Sequence, residues 1–296
     1  MTLSLDRTES TGTDLDKLRS HAYRAPSSDD VITALRAGTT LHVDHLWDEV
    51  CAEVAVAPAQ SRMTLAELDL IIGALVLRGG TVGLVGRAMA VRVAVYRAVS
   101  FRGSDAPAPR FDWARVAMDK LLRERIPRPA RLVELIDLDP FAAELRTELN
   151  QAASRVAQRL GTPLGQVSIV LEGAQCTVGM SGGADSWLVE AGGVPIEWSF
   201  CATSVRTREP YVVPDTREDV LHRLNPTVLN DGVGSYAGAP LVTSTGEVLG
   251  SCCVIDLRPR DFTAADVAVL VEEAAVVVAE LERRRDLRLE RATHAG

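Results

Sequence analysis

Four blocks decide the fold of the C-terminal half of this chain: Ser199-Phe200-Cys201-Ala202, Val212-Val213-Pro214-Asp215-Thr216-Arg217-Glu218-Asp219, Tyr236-Ala237-Gly238-Ala239-Pro240-Leu241 and Leu249-Gly250-Ser251-Cys252-Cys253-Val254-Ile255-Asp256. The last two belong to apolar runs, Tyr236 to Thr243 and Val248 to Ile255. Ser244-Thr245-Gly246-Glu247 separates them, which reads as a β-hairpin. Glu209-Pro210 precedes a strand at Tyr211 to Val213, and Val167 to Leu171 and Cys176 to Met180 are earlier strand candidates. Helices bracket these strands. Phe141, Leu145, Leu149, Ala152, Val156 and Leu160 recur at helical spacing, and Gly161-Thr162-Pro163 stops that run. Thr263-Ala264-Ala265-Asp266 caps a last helix with Val267, Leu270, Ala274, Val277 and Leu281 on one face. This succession is that of an antiparallel sheet with helices packed on it.

The N-terminal half has a different period. Residues 1–27 are polar and aperiodic and read as a disordered leader. Ser28-Asp29-Asp30-Val31 starts a helix, and Leu41 to Val56 is a second helical run. Thr64-Leu65-Ala66-Glu67 is a capping box for a third helix, with Leu68, Ile71, Ile72, Leu75 and Val76 on one face and Gly79-Gly80 at its end. Thr81 to Phe101 is again helical. Phe111 to Arg125 reads as a short basic helix, and Ile126 to Ala130 as a joint. The expected organisation is a leader (1–27), a helical domain (28–131) and a sheet domain (138–291).

With 296 residues, two ordinary domains fit. The hydrophobic fraction is 47% but only 4% is aromatic, so the cores rest on Ala, Val and Leu. No run of about 18 apolar residues predicts a membrane span. The first residues lack the basic and apolar regions of a secretory signal, and a cytoplasmic location is expected. The five cysteines, at 51, 176, 201, 252 and 253, lack metal-ligand spacing and read as reduced, mostly buried thiols. Cys252 and Cys253, adjacent on a strand, must face opposite ways. The net charge is −8, yet Arg78 to Arg131 holds twelve basic residues against Asp105, Asp112, Asp119 and Glu124. That basic stretch suits an anionic partner or a solvated surface.

In order and spacing, the four blocks resemble a GAF domain, a ligand-sensing and dimerising module of signalling proteins. The resemblance spans about Leu138 to Arg291 and implies an α+β fold, a helical N-terminal domain followed by a GAF domain. It implies a pocket on one sheet face, with Trp198, Phe200, Cys201, Val213, Asp215, Tyr236 and Cys253 as ligand-binding candidates. It also implies a homodimer through helices 140–160 and 263–288, whose stripes include Val277 and Leu281. The asparagine-lysine-phenylalanine-aspartate pattern of cyclic-nucleotide-binding members is missing, and no Cys-His dipeptide offers a bilin attachment point. No arginine or lysine lies between Gly234 and Ile255, so the expected ligand is small and neutral or weakly polar. Its identity, and any cofactor, stay unknown.

The expected function is regulatory, not enzymatic: a GAF domain that binds a small molecule, dimerises, and controls the helical domain or a partner. Two alternatives stay open. Thr81 to Val99 resembles the helix-turn-helix of bacterial regulators, which would place Arg87, Arg92, Tyr96 and Arg97 on DNA; an ordinary buried helical pair is the other reading. A thiol-dependent reductase of the GAF type would use the cysteines. His42 and His45 read as surface histidines, with no metal expected. Asp215 and Asp219 read as caps of a turn or helix rather than an acid/base pair.

Overall fold

Ser27 opens the first helix, α1 (Ser28–Gly38): its hydroxyl accepts from the Asp30 amide while the Asp30 carboxylate accepts from the Ser27 amide. Thr64 and Glu67 repeat this box at the start of α3 (Leu65–Arg78). Between them lies α2 (Val43–Glu53). Gly79 and Gly80, at φ +64° and +55°, turn the chain back into α4 (Gly80–Phe101). These features belong to a computed structural model, which describes residues 25–58, 63–101, 129–183 and 186–294. The expected basic helix at Phe111 to Arg125 and most of the expected leader lie outside the described residues.

Helix α4 is apolar on two sides. Val82, Val85, Met89 and Val93 join Val31, Leu35, Trp47, Leu68, Ile71 and Leu75 in one core. Leu84, Ala88, Val91 and Val95 join a second core, that of the C-terminal sheet. A helix buried on both sides loses its amphipathic signature. The helix-turn-helix expectation for Thr81 to Val99 is corrected here, because the stretch lies within one uninterrupted helix. The side chains assigned to DNA are held within the molecule. Arg92 donates to both Glu197 carboxylate oxygens, at 3.0 and 3.1 Å, and to the Gly173 carbonyl at 3.1 Å. Arg97 pairs with Asp69, Arg87 lies 4.5 Å from the centre of the Phe141 ring, and Tyr96 is half-buried.

Helix α5 (Pro129–Leu138) runs across the expected end of the helical domain at residue 131. Leu135 and Leu138 already belong to the sheet-side core. Arg131 is 4% exposed and donates through Nε to the Val248 carbonyl and through Nη2 to the carbonyls of Val170 and Leu249. Burial pushes the guanidinium down to about 10, opposed by nearby Glu247. It therefore remains charged at neutral pH.

A 3-10 turn (Ala143–Leu145) leads into α6 (Arg146–Leu160), followed by β1 (Leu164–Val170), β2 (Ala174–Ser181), α7 (Trp187–Glu190) and β3 (Gly193–Pro195). A second 3-10 turn (Ile196–Trp198), α8 (Cys201–Thr207), β4 (Tyr211–Val213), α9 (Pro226–Asp231), β5 (Ser235–Val242), β6 (Val248–Asp256) and α10 (Ala264–His294) complete the order. The six strands form one antiparallel sheet in the order β3-β2-β1-β6-β5-β4. Helices α6 and α10 cover one face. A β-carbon at Gly179 would lie 2.4 Å from the Leu149 carbonyl oxygen, so only glycine allows α6 this close to β2. The two helices are clamped by Glu273, 5% exposed, which accepts from Arg155 at 3.2 Å and Arg159 at 3.3 Å.

Val277 and Leu281 are 2% and 1% exposed and fill the protein's own core. The stripe assigned to a dimer contact is consumed by the sheet. Val276, 48% exposed, and Leu287, 36% exposed, face outward instead. Among the described residues no helix is long and apolar enough to cross a membrane.

Arg131 ties α5 to the ends of β1 and β6, so Arg131→Ala would strand three inward carbonyls. Its expected cost is about 2 kcal/mol of stability, since each buried unsatisfied group carries a penalty of about 1–3 kcal/mol and losing the buried charge offsets part of it. Urea unfolding of the two proteins measures this; an unchanged midpoint would show that the tether contributes nothing.

Candidate functional site

The strand alternation gives the sheet two unlike faces. On β6, Cys252 joins the core under α6 and α10, while Cys253 joins the opposite cluster under α8. Between that second face and the layer formed by α7, α8 and α9 lies a cavity of about 390 Å³. This volume lies within the range of small-molecule sites.

Four of the seven expected ligand residues line it: Trp198, Phe200, Cys201 and Tyr236. Trp198 comes from the second 3-10 turn, Phe200 and Cys201 from the start of α8, and Tyr236 from β5. Val213, Asp215 and Cys253 are not on the wall. Val213 is 1% exposed and packed among Phe200, Val205 and Tyr236 in the cluster beneath it. Cys253 is fully buried, with its sulfur 3.7 Å from that of Cys201. Asp215 serves its own loop, its carboxylate accepting from the Arg217 amide at 2.9 Å. Asp219 does the same for the amides of Leu221 and His222. Both aspartates thus cap turns.

An aromatic stack forms the base of the site. Phe200 lies face to face with His222 at 3.9 Å and with Tyr236 at 5.1 Å between ring centres. The His222 Nε2 and the Tyr211 hydroxyl are hydrogen-bonded at 3.1 Å. Tyr236 extends along its strand over Gly238, where a β-carbon would lie 2.2 Å from the tyrosine hydroxyl oxygen. The missing side chain lets that hydroxyl reach the Cys201 sulfur at 3.3 Å and stand 3.4 Å from the Ser251 hydroxyl.

A polar relay, absent from the expected site, crosses the same face. The Gln166 amide donates to the Thr177 hydroxyl at 2.6 Å, and the Gln175 amide donates to Gln166 Oε1 at 3.3 Å. The Ser199 hydroxyl donates to Gln175 Oε1 at 2.6 Å and accepts from the Ala202 amide at 3.0 Å. Gln166, Gln175 and Thr177 line the cavity, as do Thr227 and Asp231 of α9. The Asp231 carboxylate accepts from the Trp187 indole at 2.7 Å and so ties α9 to α7. Gln166 and Gln175 were detectable in principle. The expected strands began one residue after each, and extending the alternation backwards places both glutamines on the cavity face.

The described wall carries no arginine or lysine, and Asp231 is its one carboxylate. It can offer aromatic surface, amides and hydroxyls to a small uncharged molecule, and nothing that would neutralise a phosphate. Among the described residues no group of three or more histidines, cysteines or carboxylates stands together as metal ligands. His45 pairs with Glu49 at 3.2 Å on the exposed side of α2.

Comparison with known proteins places this architecture. Residues 144–281 match the family model of the GAF domain. Over 160 residues, 53% of this chain, the sequence is 34% identical to a cyclic di-GMP phosphodiesterase of Pseudomonas aeruginosa, and the match spans 26% of that relative's length. Among solved structures, the second GAF domain of DevS from Mycobacterium smegmatis is similar with a TM-score of 0.39, 18% identity, and coverage of 49% of this chain and 97% of that one. The GAF domain of a phosphoenolpyruvate-protein phosphotransferase from Coxiella burnetii gives 0.42, 17%, 59% and 98% for the same quantities. A type II free methionine-R-sulfoxide reductase from Thermoplasma acidophilum gives 0.39, 13%, 47% and 92%. The C-terminal half of this chain, a six-stranded antiparallel sheet with a helix pair on one face and a cavity on the other, is a GAF domain, a sensory and regulatory module, preceded by a helical region.

Proposed function

We propose that this chain is a signalling module in which a small uncharged molecule occupies the GAF cavity and its presence is relayed to the N-terminal helices. The carrying observation is the shared wall between the two parts. Helix α4 buries Leu84, Ala88, Val91 and Val95 against the sheet domain. Arg92 on the same helix grips Glu197, one residue before the cavity residue Trp198. A ligand that moves the second 3-10 turn therefore acts on α4 through both. Apolar packing sets the strength of this link, because each buried Leu or Val contributes about 1.5–3 kcal/mol, against about 1 kcal/mol or less for a partly exposed ion pair. The ion pair fixes the orientation.

The relative from Pseudomonas aeruginosa supports a signalling context for the matched segment. The cavity's chemistry does not extend that support to phosphorylated nucleotides, since the described wall has no cation. DNA reading is not supported either, because Arg92 and Arg97 are committed to carboxylates within the molecule. Val213 is packed away from the cavity, so Leu188, on its wall in α7, is the position at which to fill it. A thermal-shift screen of small uncharged metabolites should find a stabilising ligand, and Leu188→Trp should abolish the shift while leaving the unliganded melting temperature within a few degrees. A screen in which only phosphorylated or strongly charged compounds stabilise the protein would overturn this reading.

We also propose a homodimer through the outer face of α10, where Val276 and Leu287 lie on one side, about three turns apart. In light scattering at tens of micromolar, Val276→Glu with Leu287→Glu should convert dimer to folded monomer. Val277→Glu should instead unfold the protein, since its side chain is internal. A wild-type monomer at that concentration would rule the dimer out.

A further inference from the structure

Five free cysteines are buried in this chain, and two of them face each other. The Cys201 and Cys253 sulfurs are 3.7 Å apart, which is van der Waals contact. Cys201 lies on the cavity wall and Cys253 directly behind it. Around them stand hydroxyls and an amide: Tyr236 donates to the Cys201 sulfur, and the Cys253 thiol donates to Gln166 Oε1 at 3.6 Å. The other three cysteines are placed apart. Cys51 is in the N-terminal helical core, and Cys176 and Cys252 are on the far side of the sheet.

The surroundings also separate the thiols chemically. Burial pushes Cys176 and Cys252 up to about 12 each, which leaves them unreactive at neutral pH. Burial pushes Cys201 up as well, but the contact with the Cys253 thiol and the hydroxyls of Ser168, Tyr236 and Ser251 together outweigh it and bring this thiol below its ordinary value. Cys253 is raised, first by its bond to Cys201 and then by burial. One sulfur is thus prepared as a thiolate at a cavity wall, with a protonated thiol in contact behind it.

We propose that Cys201 and Cys253 form an oxidisable pair, in which a hydroperoxide entering the cavity is reduced at Cys201 and the pair closes to a disulfide. The Cys201 thiolate attacks the terminal oxygen of the hydroperoxide. A sulfur–oxygen bond forms, the oxygen–oxygen bond breaks, and the departing alkoxide takes up a proton as the alcohol. Cys253 then loses its proton and attacks the sulfenic sulfur. The sulfur–sulfur bond forms, the sulfur–oxygen bond breaks, and hydroxide leaves with that proton as water. Two thiols give up two electrons, and one hydroperoxide becomes one alcohol and one water.

Bond formation draws the sulfurs from 3.7 Å to about 2.05 Å. Cys201 begins α8, next to Phe200, so the closing bond pulls that helix start toward β6 and shifts the aromatic stack. Oxidation would therefore reshape the cavity wall whichever small molecule the cavity holds.

The test uses the full chain treated with a stoichiometric amount of tert-butyl hydroperoxide, alkylation of the remaining thiols, and peptide mass spectrometry. The expected result is a product lighter by two hydrogens with a single Cys201–Cys253 bridge. Cys201→Ser should lose the bridge. Cys253→Ser should stop at the sulfenic acid, trapped on Cys201 by dimedone. No bridge in the folded wild-type protein, or a scatter of bridges that includes Cys51, Cys176 or Cys252, would overturn the proposal. Dimedone labelling at a cysteine other than Cys201 in the Cys253→Ser variant would overturn it as well.

Discussion

Two apolar stripes on one helix hold this molecule together. Helix α4 presents Val82, Val85, Met89 and Val93 to the N-terminal helices and Leu84, Ala88, Val91 and Val95 to the sheet domain. Neither core closes without it. Exposing either stripe forfeits about 1.5–3 kcal/mol per large side chain, a considerable part of the total stability of an ordinary domain. The two parts are therefore joined by a common structural element rather than a tether. Arg131 adds a second fixed joint at the ends of β1 and β6.

The sheet domain depends on the two-residue period of its strands. Alternation sends Cys252 and Cys253 into different environments although they are neighbours in the chain. The helix-covered face is closely packed because Gly179 lets α6 approach the strand backbone. The other face keeps a volume open, spanned by Gln166, Gln175 and Ser199 and bounded below by aromatic rings. Gln166, Gln175, Thr177 and Ser199 bond to one another across that face, and the Asp231 carboxylate accepts from the Trp187 indole.

This arrangement joins sensing to shape. The second 3-10 turn carries Glu197, which holds α4, and Trp198, which lines the cavity. The start of α8 carries Cys201, whose sulfur touches a second thiol. On the proposed function, noncovalent occupancy and thiol oxidation would thus act on neighbouring parts of one wall, next to the α4 contact that both cores share.

Much of the architecture was written in local signals. The capping residues Thr64 and Thr263, the Gly79-Gly80 reversal, the hairpin around Ser244 to Glu247 and the stripe from Leu145 to Leu160 each act within a few residues, so the chain alone determined them. The order of the four blocks carried the family. Trp198, Phe200, Cys201 and Tyr236 were legible as cavity residues for that reason. Tertiary structure decided the rest. Thr81 to Val99 has no single apolar face, because two cores consume it, and only their packing distinguishes a shared helix from a DNA-binding pair. Val277 and Leu281 have the spacing of an interface, yet the sheet needed them, while the outward residue was their neighbour Val276. Val213, Asp215 and Cys253 are near the cavity in the chain's blocks but not on its wall, since strand twist and loop direction decide which side chains look inward. The contact between Cys201 and Cys253 joins residues 52 positions apart, and no local pattern encodes a distance of that kind.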